Sequence, residues 1–125
     1  MNIAFITILV MGIMPIFCAG IAKFGHGAGR YDNHNPREFM ANLTGWRKRA
    51  NAAQANCFEA LPIYIAAVLV AAYNHANVTC ITLICISVVI LRALYIYLYI
   101  ADKATLRSLI WFIAFVLTIS MFFIH

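Results

Sequence analysis

Four long apolar runs limit this chain more than any other feature, because each is close to the roughly 20 residues that carry a helix across about 30 Å of hydrocarbon. They cover residues 2–22, about 50–73, 78–101 and 105–124, with a polar loop over about 23–45. The runs are apolar on every side, so they lack the alternation that a transmembrane barrel strand requires. Of the 125 residues, 65% are hydrophobic and 10% charged. A soluble domain is about half apolar and a quarter charged, so a water-soluble or a disordered chain is excluded. The expected fold is all-α: one integral-membrane domain, 1–125, built as a four-transmembrane-helix bundle.

The first run contains Pro15, which a membrane helix tolerates where neighbours satisfy the freed carbonyl. Met1 to Thr7 carries no positive charge, so the segment reads as a retained span rather than a cleaved signal. After Pro36 the loop holds a helix start signal and is expected to form a short amphipathic helix. From Trp46 a helical pattern begins outside the hydrocarbon and then enters it, ending at the Asn74 to Asn77 turn, NHAN. The connector around Asp102 and Lys103 makes the last two helices antiparallel neighbours.

Six of the nine Lys and Arg residues (Lys23, Arg30, Arg37, Arg47, Lys48, Arg49) lie in or beside the long loop, and Lys103 and Arg107 mark the third connection. The positive-inside rule then sets the loop in the cytoplasm and both termini outside it. That distribution accounts for the formal charge of +5 without nucleic acid. Cys18, Cys57, Cys80 and Cys85 show neither CxxC nor histidine at ligand spacing, so no metal site is expected. All four are read as inert, membrane-buried thiols, since free cysteine packs as a small hydrophobe.

Two ionisable residues fall within apolar segments, Glu59 and Arg92, and neither can face lipid alone without a cost of several kcal/mol. Each lies about 15 Å deeper than its helix's cytoplasmic marker, Arg49 or Asp102, by the rise of about 1.5 Å per residue. Antiparallel helices would bring them to one level, so a direct Glu59–Arg92 ion pair is expected. By itself such a pair need be only a structural latch. Arg49, Asn56 and Glu59 form one stripe at helical spacing, and Arg92, Tyr95, Tyr99 and Asp102 another. Arg107 and Ser108 open the fourth helix at the same level. Together these residues outline a polar pocket near the inner leaflet.

The segments RANAAQANCFEALP, Arg49 to Pro62, and LRALYIYLYIADKATLRSLIW, Leu91 to Trp111, resemble signatures of the membrane-associated proteins in eicosanoid and glutathione metabolism, the MAPEG family. The first is similar to its Ala-Asn-x-x-Glu motif, the second to its arginine-tyrosine helix and Arg-Ser opening. GRYDNHNPRE and GWRKRA look like the small bacterial members, which implies a bacterial inner membrane. The resemblance implies a homotrimer, in membrane lipid, that binds glutathione between subunits near the cytosolic face. It implies transferase or peroxidase chemistry, with glutathione as co-substrate, on lipophilic electrophiles or hydroperoxides. By matching position, Asn56, Glu59, Tyr95, Tyr99 and Arg107 would bind glutathione, Arg107 and Ser108 would stabilise its thiolate, and Arg49 and Arg92 would support the site. Ala52 and Ala55 stand where many enzymatic members carry arginine, and Tyr95 where some carry histidine. The alternative is therefore a non-catalytic protein binding a lipid or another anionic amphiphile in the same pocket.

Overall fold

The computed structural model describes residues 2–27 and 29–125; Met1, and Ala28 within the expected cytoplasmic loop, lie outside the described residues. Its helices are α1 (Asn2–Phe24), α2 (Pro36–Ala41), α3 (Gly45–Tyr73), α4 (Val78–Ile100) and α5 (Ala104–Ser120), the last continued by a 3-10 turn at Met121–Phe123. Four of them, α1, α3, α4 and α5 with its turn, are long and apolar enough to cross a membrane. The fourth span, expected over about 105–124, is Ala104–Phe123, and its last turn tightens to 3-10, a common way to satisfy carbonyls at a helix end.

The bundle is assembled on small residues. In α1 the buried positions are Ala4, Thr7, Met11, Pro15, Cys18 and Ala22, each three or four residues from the next. That spacing keeps one narrow seam turned toward a partner helix. Its main partner is α3, which supplies Ala50, Ala53, Cys57, Ala67 and Ala71 to the buried core. Lipid tails are as apolar as leucine, so helices in a bilayer associate by close packing, and alanine lets the backbones approach. Helix α4 packs against α1, α3 and α5, whereas α3 and α5 meet sparsely. A gap is left between those two helices.

Polar groups fix the ends of this arrangement. Helices α3 and α4 both finish in the same motif, a residue in the left-handed region whose own amide and the next one return to the last turn. His75 (φ 55°) does this for α3, where Ala76 N–H bonds Ala71 and His75 N–H bonds Ala72. Asp102 (φ 60°) does it for α4, where Lys103 N–H bonds Leu98 and Asp102 N–H bonds Tyr99. At the end of the bundle where α3 begins, two arginines bind the ends of the helices beside it. Arg47 Nε donates to the Ala22 carbonyl at 2.7 Å and its Nη2 to Lys23 at 2.6 Å, while Arg49 Nε donates to Ile100 at 3.0 Å. Cations there meet the negative ends of α1 and α4, so α3 enters the bundle at a fixed depth relative to both.

Candidate functional site

Arg92 is 3% exposed, and its charge is met differently from the direct ion pair that the sequence suggested. Its Nη2 donates to Asn56 Oδ1 at 2.9 Å, and Asn56 Nδ2 donates to Glu59 Oε2 at 3.3 Å. No Glu59–Arg92 bridge forms; the amide of Asn56 stands between them. The reason is local: Asn56 lies three residues before Glu59 on one face of α3, and its short side chain offers an acceptor to one neighbour and a donor to the other. Glu59 is thereby left on the outer surface of the bundle rather than in its interior. Arg92 Nε is buried and has no partner among the described residues.

A line of rings and guanidinium groups runs from Arg92 toward the connection between α4 and α5. The Arg92 guanidinium lies 4.5 Å from the centre of the buried Tyr95 ring. Tyr95 meets Tyr99 edge to face at 5.7 Å, and Arg107 lies 4.3 Å over the Tyr99 ring. A guanidinium over an aromatic face gains electrostatic attraction and is held in place. Arg107 is half-buried, while Ser108 is exposed and returns its hydroxyl to the Ala104 carbonyl at 3.1 Å.

Two hollows share this network. A shallow cleft is lined by Asn56, Tyr95, Arg107, Ser108 and Trp111, and so joins four residues singled out from the sequence. Deeper, a cavity of about 120 Å³ occupies the gap between α3 and α5. Asn56, Glu59 and Arg92 form its polar rim, and Ile63, Val88, Trp111 and Phe115 are among its apolar walls. Asn56 and Trp111 belong to both hollows. Tyr99 lines neither, but holds Arg107 from behind; Arg49 is spent on the end of α4.

Sequence reasoning missed Trp111, which stacks on Phe115 at 5.3 Å between ring centres. Its position four residues after Arg107 was the available signal. It also assigned Arg47 only to topology, although the side chain is 2% exposed and fastens α1. Cys18, Cys57 and Cys85 are buried within the bundle, and Cys80, at the start of α4, lies on its outer face. The Cys80 amide donates to Asn77 Oδ1 at 3.0 Å, which caps the helix. No group of metal-ligating side chains occurs among the described residues.

A family model, that of the MAPEG family, matches residues 3–125. Neither a curated protein nor a solved structure matches the chain.

Proposed function

The chain belongs to the MAPEG family, and from that premise we propose that it is a membrane-bound glutathione transferase acting on lipophilic electrophiles or hydroperoxides. The observation that carries this reading is the convergence of Asn56, Tyr95, Arg107 and Ser108 on one cleft, with Glu59 one turn deeper. Glutathione presents two carboxylates, an ammonium and a thiol. Arg107 offers charge-assisted hydrogen bonds to an anion, and Glu59 offers them to the ammonium. The other end of the Asn56 amide fixes the Glu59 carboxylate.

Conjugation requires the thiolate, because a free thiol near pKa 8.5 is mostly protonated at neutral pH. Arg107 lies in the first turn of α5, where the guanidinium and the positive end of the helix act on the same point. Ser108 adds a hydroxyl donor once its hydrogen turns from the Ala104 carbonyl. The thiolate sulfur then bonds to an electrophilic carbon as the leaving group departs. With a hydroperoxide, the sulfur attacks oxygen and the O–O bond breaks. The apolar walls of the deeper cavity suit the lipophilic reactant, which would come sideways from the bilayer.

We further propose that the protein works as a homotrimer in a bacterial inner membrane, with the basic loop cytoplasmic and both termini outside. Glu59 on the outer surface of an isolated bundle supports assembly, since a carboxylate at that depth would be costly against lipid and is covered if another subunit lies there. A second reading is favoured by one observation: Arg107 is the lone cation lining the cleft among the described residues. On that reading the site holds a lipid or other anionic amphiphile without chemistry. Calorimetric titration of the detergent-solubilised protein with glutathione, followed by turnover with a chloronitrobenzene electrophile, separates the two. The transferase reading expects saturable binding and conjugate; heat from an anionic amphiphile but none from glutathione would replace it with the second.

A further inference from the structure

Helix α2 divides the end of the bundle where α3 begins into two sides of opposite charge. One side is an open groove between α2 and α3, made of two hollows of about 380 and 430 Å³ that share Met40, Ala41, Asn51 and Gln54. Its cations come from three helices, Lys23 at the end of α1, Arg37 on α2 and Lys48 on α3, and among the described residues no carboxylate lines it. The hollow on the other side of α2 holds Asp32 and Glu38 and no Lys or Arg. Membrane orientation accounts for how many cations gather near this loop. It does not account for their being sorted to one side of a helix of six residues.

The groove also runs inward along α3. Lys48, Asn51, Ala55 and Phe58 recur at helical spacing and line its length. At about 1.5 Å per residue, Phe58 lies about 15 Å from Lys48, where α3 has turned apolar, and its ring is half exposed. Ala52 and Ala55 keep the floor low between them. A cationic rim that leads over an apolar floor toward the hydrocarbon has the polarity of a phospholipid, with its charge at the surface and its chain below. A soluble anion would use the rim alone. So would the acidic side of a second copy, because copies in one bilayer lie at the same level and Asp32 and Glu38 do not reach the depth of Phe58. We propose that the groove between α2 and α3 binds an anionic phospholipid of the bilayer, its headgroup among Lys23, Arg37 and Lys48 and one acyl chain over Ala55 and Phe58.

Each part of the headgroup has a partner of matching chemistry. Arg37 presents a fork of donors to the phosphate, and Lys23 and Lys48 act on it as compact charges. The amides of Asn51 and Gln54 can donate to ester or hydroxyl oxygens beside it. A zwitterionic lipid adds a cation of its own to the same phosphate, which the three unopposed cations of the rim repel, so the groove discriminates by net headgroup charge. The inference is independent of the glutathione reading: none of these side chains lines the cleft beside Arg107 or the deeper cavity.

The test mixes the full-length protein in detergent with equimolar phosphatidylglycerol and phosphatidylcholine of identical acyl chains, and native mass spectrometry reads which lipid each chain retains. Phosphatidylglycerol should be retained in preference. That preference should fall by at least about tenfold when Arg37→Gln and Lys48→Gln are combined, since each cation near an anionic headgroup surface changes affinity about fivefold. Ala55→Trp keeps every cation but fills the floor, and should release the lipid as fully; diffuse attraction to a basic surface would be left intact by it. Equal retention of the two lipids by the wild type would overturn the proposal whatever the variants do. Displacement of phosphatidylglycerol by glycerol phosphate would also overturn it, by marking a site for a free anion. Undiminished retention in Ala55→Trp would do the same, and if that variant also falls apart into single chains, the groove belongs to a second copy.

Discussion

Exchanging Glu59 for glutamine should cost the bundle far less than exchanging Asn56 for alanine. If Glu59 were the direct partner of Arg92, neutralising it would strand a buried guanidinium, a loss of about 3–5 kcal/mol. The observed acceptor is instead Asn56 Oδ1 at 2.9 Å, and glutamine at position 59 can still accept from Asn56 Nδ2. Glu59→Gln should therefore stay within about 0.5 kcal/mol of wild type, the usual range for a change that leaves such features intact. Asn56→Ala removes the only oxygen that Arg92 reaches among the described residues. A hydrogen bond to a charged group contributes about 1.5–3 kcal/mol in soluble proteins. Interhelical bonds inside membranes measure about 0.6 kcal/mol on average and about 1.7 at most. The charge places this one at the upper end, so a loss of about 2 kcal/mol is expected. A cycle with Arg92→Met should return a coupling of about 1.5 kcal/mol between Asn56 and Arg92. Reversible denaturant unfolding in mixed micelles provides the assay. A large loss in Glu59→Gln, or additive losses in the Asn56 and Arg92 cycle, would refute the relay.

The remaining expectations concern the helix ends, the orientation and the cleft. Arg47→Met deletes two charged hydrogen bonds and should lower unfolding stability by about 3 kcal/mol, against about 1 for Arg49→Met, which deletes one at a half-exposed position. Asp102→Gly relieves a left-handed residue and should raise stability by up to about 1 kcal/mol in the same assay, since the left-handed region costs other L-residues about 1–2. With the native cysteines replaced by serine, an impermeant maleimide on intact cells should label His125→Cys but not Asn33→Cys; the reverse pattern would invert the topology. Arg107→Leu should reduce conjugation by about 10²-fold, as expected for one lost electrostatic stabiliser, while the bundle unfolds at the wild-type midpoint.

The membrane helices were legible because twenty apolar residues in a row admit few other fates, and Pro36 and the polar start at Trp46 announced α2 and α3 in the same direct way. The site was partly legible for a different reason. Helical spacing put Asn56 with Glu59 and Arg92 with Tyr95, and antiparallel connection set both stripes at one depth. What spacing does not carry is side-chain reach. Asn56 intervenes between Glu59 and Arg92 because a short amide can serve both, a choice decided within a few ångströms. Arg47 was hidden by its neighbours: among six basic residues near one loop, nothing in the order of letters marks the one whose side chain turns inward to the Ala22 carbonyl.

The central claim is that the cleft beside Arg107 holds glutathione as a thiolate. Difference absorbance in the ultraviolet, recorded while glutathione is titrated into the detergent-solubilised protein at neutral pH, reads that species directly. A saturable thiolate band in wild type that is absent from Arg107→Leu is the predicted result. Saturable glutathione binding with no thiolate band, or a band of equal size in Arg107→Leu, would contradict it.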